Sequence, residues 1–152
     1  MPPEHDRILA TFGTLVGQAG RLWRRAADQK LQPFGLTEAT WLPLLRISRS
    51  ATPMHQKALA ASLSLDNSSV VRLIDNLEAA GLVERQEGED RRAKAIVLTE
   101  AGRRTVIEVE RVAQSVREEA LAELPREDVE TAFRVLEHIS AVFSRPSEEQ
   151  VP

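Results

Sequence analysis

Two groups of polar side chains in this 152-residue sequence have the types and spacing to do chemistry. The first is Asn67, Ser68 and Ser69, with Arg72 one helical turn further on. Amides and hydroxyls both give and accept hydrogen bonds, so they suit the edges of bases or the oxygens of phosphates. An arginine at Arg72 can fork onto a guanine edge or meet a phosphate. The second group is Arg85, Asp90, Arg91, Arg92 and Lys94, four cations and an acid within ten residues. Arginines on a thin protrusion can enter a narrow minor groove, where negative potential is enhanced. Asp90 is suited to orienting a neighbouring arginine by an ion pair. With Glu87 and Glu89 it also reads simply as neutralising a solvated tip.

Catalysis finds little to use. His5, His55 and His138 lie in separate segments without metal-ligand spacing, and the carboxylates are dispersed over helical faces. No glycine-rich phosphate loop and no nucleophile elbow is present. The chain has no cysteine, which excludes disulfides, thiolate metal sites and thiol-based sensing. A reducing cytoplasm is the simplest setting. Residues 1–20 do not read as a secretory leader, and nothing approaches the roughly 20 apolar residues of a membrane span. The expectation is a protein that is not an enzyme, holds no metal or cofactor and has no membrane partner.

The elements that must position the two groups follow from periodicity. Between Arg7 and Leu31, apolar residues recur every three or four positions from Leu9 to Ala27, one stripe of a helix too long for a small core alone. Thr37 is placed to cap a second helix, and Pro43 within it predicts a kink or an irregular first half. Pro53 suits the first turn of a third helix ending near Leu63. Asp66 caps a fourth, whose apolar side carries Val70, Val71, Leu73, Ile74 and Leu77 before Gly81 stops it. Pro53 to Gly81 thus reads as helix, turn, helix. The N-terminus of that fourth helix also favours phosphate through its free backbone donors. Leu82–Arg85 and Ala95–Leu98 are strand-like and flank a charged tip, so a β-hairpin follows. A long helix from Thr99, broken at Leu124-Pro125, and a final helix complete the chain.

Net charge is −3, but it is unevenly spread. Residues 1–107 carry 15 Lys and Arg against 12 Asp and Glu, whereas 108–152 carry 5 against 11. The positive excess therefore lies within residues 1–107, and because a polyanion meets local charge this permits DNA binding without establishing it.

Three runs together resemble one family: GLTEATW (35–41), QKALAASLSLDNSSVVRLIDNLEAAGLVER (56–85) and EDRRAKAIVLTEAGR (89–103). They resemble the MarR family of regulators, and RLWRRAADQKLQPFGLT (21–37) is similar to its SlyA branch. The resemblance implies a mainly α fold with a small β-hairpin wing, a winged helix-turn-helix with long N- and C-terminal dimerisation helices. Residues 1–152 then form a single domain, with about 34–98 as the DNA-binding lobe and about 5–32 and 99–144 as dimerisation helices. It implies a homodimer reading a palindrome in double-stranded DNA, commonly as a repressor. Asn67, Ser68, Ser69 and Arg72 fall on its recognition helix, and Arg91 and Arg92 on its wing tip. It also implies a pocket for a small aromatic-acid effector, with Trp41 as an apolar plate and Arg21 as a carboxylate partner. The stronger reading of these residues is that Trp41 is core and Arg21 a surface or interface ion pair. A winged helix used only for protein interaction is the rival reading, and the charge at Arg72, Arg91 and Arg92 speaks against it.

Overall fold

A computed structural model describes residues 3–87 and 94–144. Its elements are α1 (Pro3–Leu31), a 3-10 turn (Gln32–Phe34), α2 (Glu38–Arg49), β1 (Met54–His55), α3 (Gln56–Leu63), α4 (Asn67–Ala79), β2 (Val83–Glu87), β3 (Lys94–Leu98), α5 (Glu100–Leu121) and α6 (Arg126–Ser144). The chain divides into two compact units, residues 1–116 and 117–152. In the second, the turn after Leu121 closes with the Leu124 amide donating to the Leu121 carbonyl, and α6 starts on the carbonyl of Pro125.

The first unit holds two apolar cores. Leu44, Ile47, Leu59, Ala60, Val70, Ile74, Leu77, Val83 and Ile96 form one, joining α2, α3, α4 and the sheet. Ala27, Leu31, Trp41, Leu45, Val109 and Val116 form the other, joining α1, α2 and α5. α2 serves both because Leu44 and Ile47 face one way and Trp41 and Leu45 the other. Each fully buried aliphatic side chain is worth roughly 1.5–3 kcal/mol, so α2 is the wall on which the two halves of this unit are built.

The first half of α2 is regular, contrary to one form of the sequence expectation; the helix is continuous from Glu38 to Arg49 with Pro43 inside it. Its ring is buried in the core. The carbonyl left without a donor is that of Ala39, an exposed residue that water can satisfy. Thr37 does occupy the N-cap position, but its backbone carbonyl, not its side chain, receives the amides of Thr40 and Trp41.

The sheet has three strands in the order β1-β3-β2, all antiparallel. β2 and β3 pair from Val83↔Leu98 to Glu87↔Lys94, the expected hairpin. β1 is an addition: Met54 and His55 pair with Ile96 and Ala95, so Pro53 leads into a strand and α3 begins only at Gln56.

Gly81, at φ +75, ends α4 by a left-handed turn in which the Leu82 amide donates to the Leu77 carbonyl. The returning chain packs there. Thr99 donates its amide to the Leu82 carbonyl and its hydroxyl to the Gly81 carbonyl at 2.6 Å, while its hydroxyl oxygen receives the Gly102 amide at 3.0 Å. Gly102 fits because a Cβ there would lie 2.1 Å from the Leu82 carbonyl oxygen. Gly102→Ala is therefore expected to lower unfolding stability by about 1–3 kcal/mol through overpacking. Urea denaturation at unchanged slope would measure it, and an unaltered midpoint would mean that α5 does not hold this contact.

Candidate nucleic-acid interface

The geometry of α4 follows from which residues it buries. Val70, Ile74 and Leu77 are buried, at i, i+4 and i+7. That leaves Asn67, Ser68, Arg72, Asp75 and Asn76 exposed. α3 leads into α4 through a tight turn. It ends at Ser64, which takes the left-handed conformation (φ 54, ψ 41), and the Leu65 amide turns back to the Ala60 carbonyl. A small polar residue tolerates that conformation at modest cost.

Asp66 caps α4 as expected. Its carboxylate accepts the Ser69 amide at 2.7 Å and the Ser68 hydroxyl at 3.0 Å. The Ser69 backbone bond is the main cause that holds this carboxyl below its ordinary value of 3.8, with the Ser69 and Ser68 hydroxyls and the Arg72 charge adding to it. Two consequences bear on ligand chemistry. The backbone donor that a phosphate would use at Ser69 is already taken by the Asp66 carboxylate, which removes one of the donors at this helix end. Ser68 spends its proton internally, so outward it offers lone pairs.

Among the described residues Arg72 enters no hydrogen bond or salt bridge, and its guanidinium is exposed. Arg85 is placed differently. Its guanidinium donates to Asp75 at 2.6 Å and Glu78 at 3.1 Å, its backbone amide donates to Glu78 at 3.2 Å, and its side chain is only 19% exposed. It braces β2 against α4. Lys94 is exposed at the start of β3 and, with His55, Gln56, Lys57, Asn67 and Arg85, lines an open cleft of about 780 Å³. Asp90, Arg91 and Arg92 lie outside the described residues.

The arrangement is a helix-turn-helix with a three-stranded wing, and its sequence and fold have counterparts. Residues 34–93 match the model of the MarR family. The transcriptional regulator PA3341 is 38% identical, with a TM-score of 0.81 over 87% of this chain and 97% of its own. The chain belongs to the MarR family. CouR from Rhodococcus jostii RHA1, crystallised with p-coumaroyl-CoA, is 30% identical with a TM-score of 0.77 over 90% of this chain and 95% of that one. A MarR family transcriptional regulator from Rhodococcus sp. RHA1 is 29% identical, with a TM-score of 0.75 over 87% and 94%. MarR proteins are DNA-binding transcriptional regulators, and this chain carries their winged helix.

On that MarR frame, the structure brings Asn67, Arg85 and Lys94 to one cleft and sets Ser69 and Arg72 on a second, smaller one beside Thr37 and Thr40. The sequence reading missed three residues of the first cleft. His55, Gln56 and Lys57 stand at the start of α3, where they read locally as ordinary helix-opening residues. Of the two effector candidates, Trp41 is buried in the second core with its indole N–H donating to Asp28 at 3.1 Å, whereas Arg21 is exposed on α1.

Asp66 gives a pH dependence of known sign. Its carboxyl is depressed in the folded state, so its stabilising contribution is complete above 3.8 and disappears as pH falls through the folded value. Asp66→Asn is expected to melt below the parent at pH 7, with the gap closing on acidification below the ordinary carboxylate range. A gap of constant size down to pH 2 would show that the charge is not what stabilises the helix start.

Proposed function

We propose that the protein is a homodimeric repressor that binds a palindromic operator in double-stranded DNA with sequence specificity. One observation carries this reading: α4 buries Val70, Ile74 and Leu77 and turns Asn67, Ser68 and Arg72 outward, beside a cleft lined by Lys57 and Lys94. A helix so divided can lie in a major groove with its first two turns on the base edges. The wing tip, with Arg91 and Arg92 and with Asp90 as their orienting acid, would reach the adjacent minor groove. Arg85 serves the interface as its internal brace, and Lys94 as a phosphate contact.

Dimerisation is supported by what α1 leaves uncovered. Ile8, Leu9, Phe12, Leu15, Val16, Leu22 and Trp23 are all exposed, as are Phe133, Leu136 and Phe143 on α6. An apolar stripe of that length needs cover in water, and a second copy related by a two-fold axis supplies it. Two recognition helices then stand about 34 Å apart, one turn of DNA. The run 21–37 supports a place in the SlyA branch, and the cytoplasm is where such a protein acts.

Control by a small aromatic acid completes the proposal. CouR was crystallised with the coenzyme A ester of an aromatic acid. Here Arg21 would hold the carboxylate, whereas Trp41, buried in the second core with its N–H on Asp28, would offer its ring face only if that core opened.

Selection from random duplexes followed by affinity measurement at two salt concentrations tests the core of the reading. An enriched palindrome and a log affinity that falls steeply with log salt are expected. Weak, uniform binding to every duplex would instead favour a protein-interaction module. Arg72→Ala should cost about 1–3 kcal/mol at the operator if it meets a base, and should lower all duplexes equally if it meets phosphate. Arg92→Ala should weaken binding while sedimentation still reports a dimer; a monomer would mean that the wing is misplaced.

A further inference from the structure

The cleft beside the recognition helix contains one side-chain bond that links the two helices of the helix-turn-helix. Gln56, the first residue of α3, donates from Nε2 to Oδ1 of Asn67, the first residue of α4, at 2.7 Å. Gln56 is half-buried and Asn67 exposed. A carboxamide alone at an exposed helix start can turn either way and offer its oxygen or its nitrogen outward. This bond removes that freedom. With Oδ1 drawn toward α3, the NH2 of Asn67 is the end left for a partner.

We propose that Gln56 is a positioning residue that sets base preference by fixing the orientation of the Asn67 amide. The inference rests on the reading of α4 as the recognition helix. An amide that can rotate pairs well with adenine, which offers an acceptor at N7 and a donor at N6. An amide held with its NH2 outward meets only acceptors well. Guanine presents two adjacent ones, N7 and O6, and adenine presents a donor where O6 would be. The Gln56–Asn67 pair therefore favours guanine over adenine at one base pair of each half-site. The specificity lies in the bond and not in Asn67 alone.

Two substitutions separate the orientation from the mere presence of Asn67. Gln56→Ala frees the amide. Gln56→Glu reverses it, because a carboxylate accepts but cannot donate, so the Asn67 NH2 turns inward and Oδ1 faces out. The experiment selects duplexes with the full-length parent, Gln56→Ala, Gln56→Glu and Asn67→Ala, then measures affinity for duplexes differing at the one position. Thermal melting of each variant is the control for folding.

The parent is expected to prefer guanine over adenine there by about tenfold, the range of one good base contact. Gln56→Ala should remove the guanine preference and shift the ratio toward adenine, and Gln56→Glu should turn it in favour of a base that offers a donor. Asn67→Ala should lose discrimination at the same base pair, and adding Gln56→Ala to it should change nothing further. The proposal is overturned if Gln56→Ala keeps the guanine preference, if it weakens all duplexes equally, or if the two single variants act at different positions. A parent that enriches no sequence overturns the DNA-reading function as well, whereas an intact operator with an indifferent Gln56 overturns this inference only.

Discussion

The hydroxyl of Thr99 donates to the carbonyl of Gly81 and accepts from the amide of Gly102, and most of the first unit depends on that junction. Gly81 closes the recognition helix, Leu82 opens the strand of the wing, and Gly102 lies in the first turn of α5. One side chain thus fixes the end of α4, the root of β2 and the direction of α5 at a single point. Thr99 caps α5 through Gly102, a position where a capping acid is common but where the Leu82 carbonyl leaves room for no side chain. The close approach matters more here than reciprocal capping.

From this junction the brace at Arg85 extends the same logic. Its two anionic partners, Asp75 and Glu78, sit on the last turns of α4, and its own amide donates to one of them. The wing strand is held to the recognition helix by a cation largely withdrawn from solvent. α2 is the corresponding link on the other side. Its Arg49 forks onto Glu110 of α5 with both bonds at 3.0 Å, and its Trp41 reaches Asp28 of α1. α2 is consequently seated on α1 and α5 by polar contacts as well as by apolar packing.

What could be read from the sequence was what local chemistry determines. Asp66 as a cap, Gly81 as a stop and the apolar stripe of α4 each follow from residues within one or two turns, and the structure has all three. β1 was invisible because Met54 and His55 owe their strand to Ile96 and Ala95, some forty residues away. Pro43 misled because its cost depends on whether the orphaned carbonyl reaches water, which periodicity does not report. Arg85 looked like its neighbours in a cationic run; only the fold places Asp75 and Glu78 against it. The bond between Gln56 and Asn67 was hidden for the same reason, since the turn at Ser64 brings the starts of two helices together.

The two faces of α4 also bear on how such a protein changes over generations. Val70, Ile74 and Leu77 hold the helix to the core, and none of them is a residue that points outward from it. On the proposed DNA-reading function, stability and target choice would be carried by different positions of the same thirteen-residue helix. Substitution at outward positions that make no internal contact, such as Arg72, would then redirect the protein to new sites without eroding the scaffold. Drift in binding preference meets little thermodynamic resistance on this architecture, so one fold can support a large set of regulators with different targets.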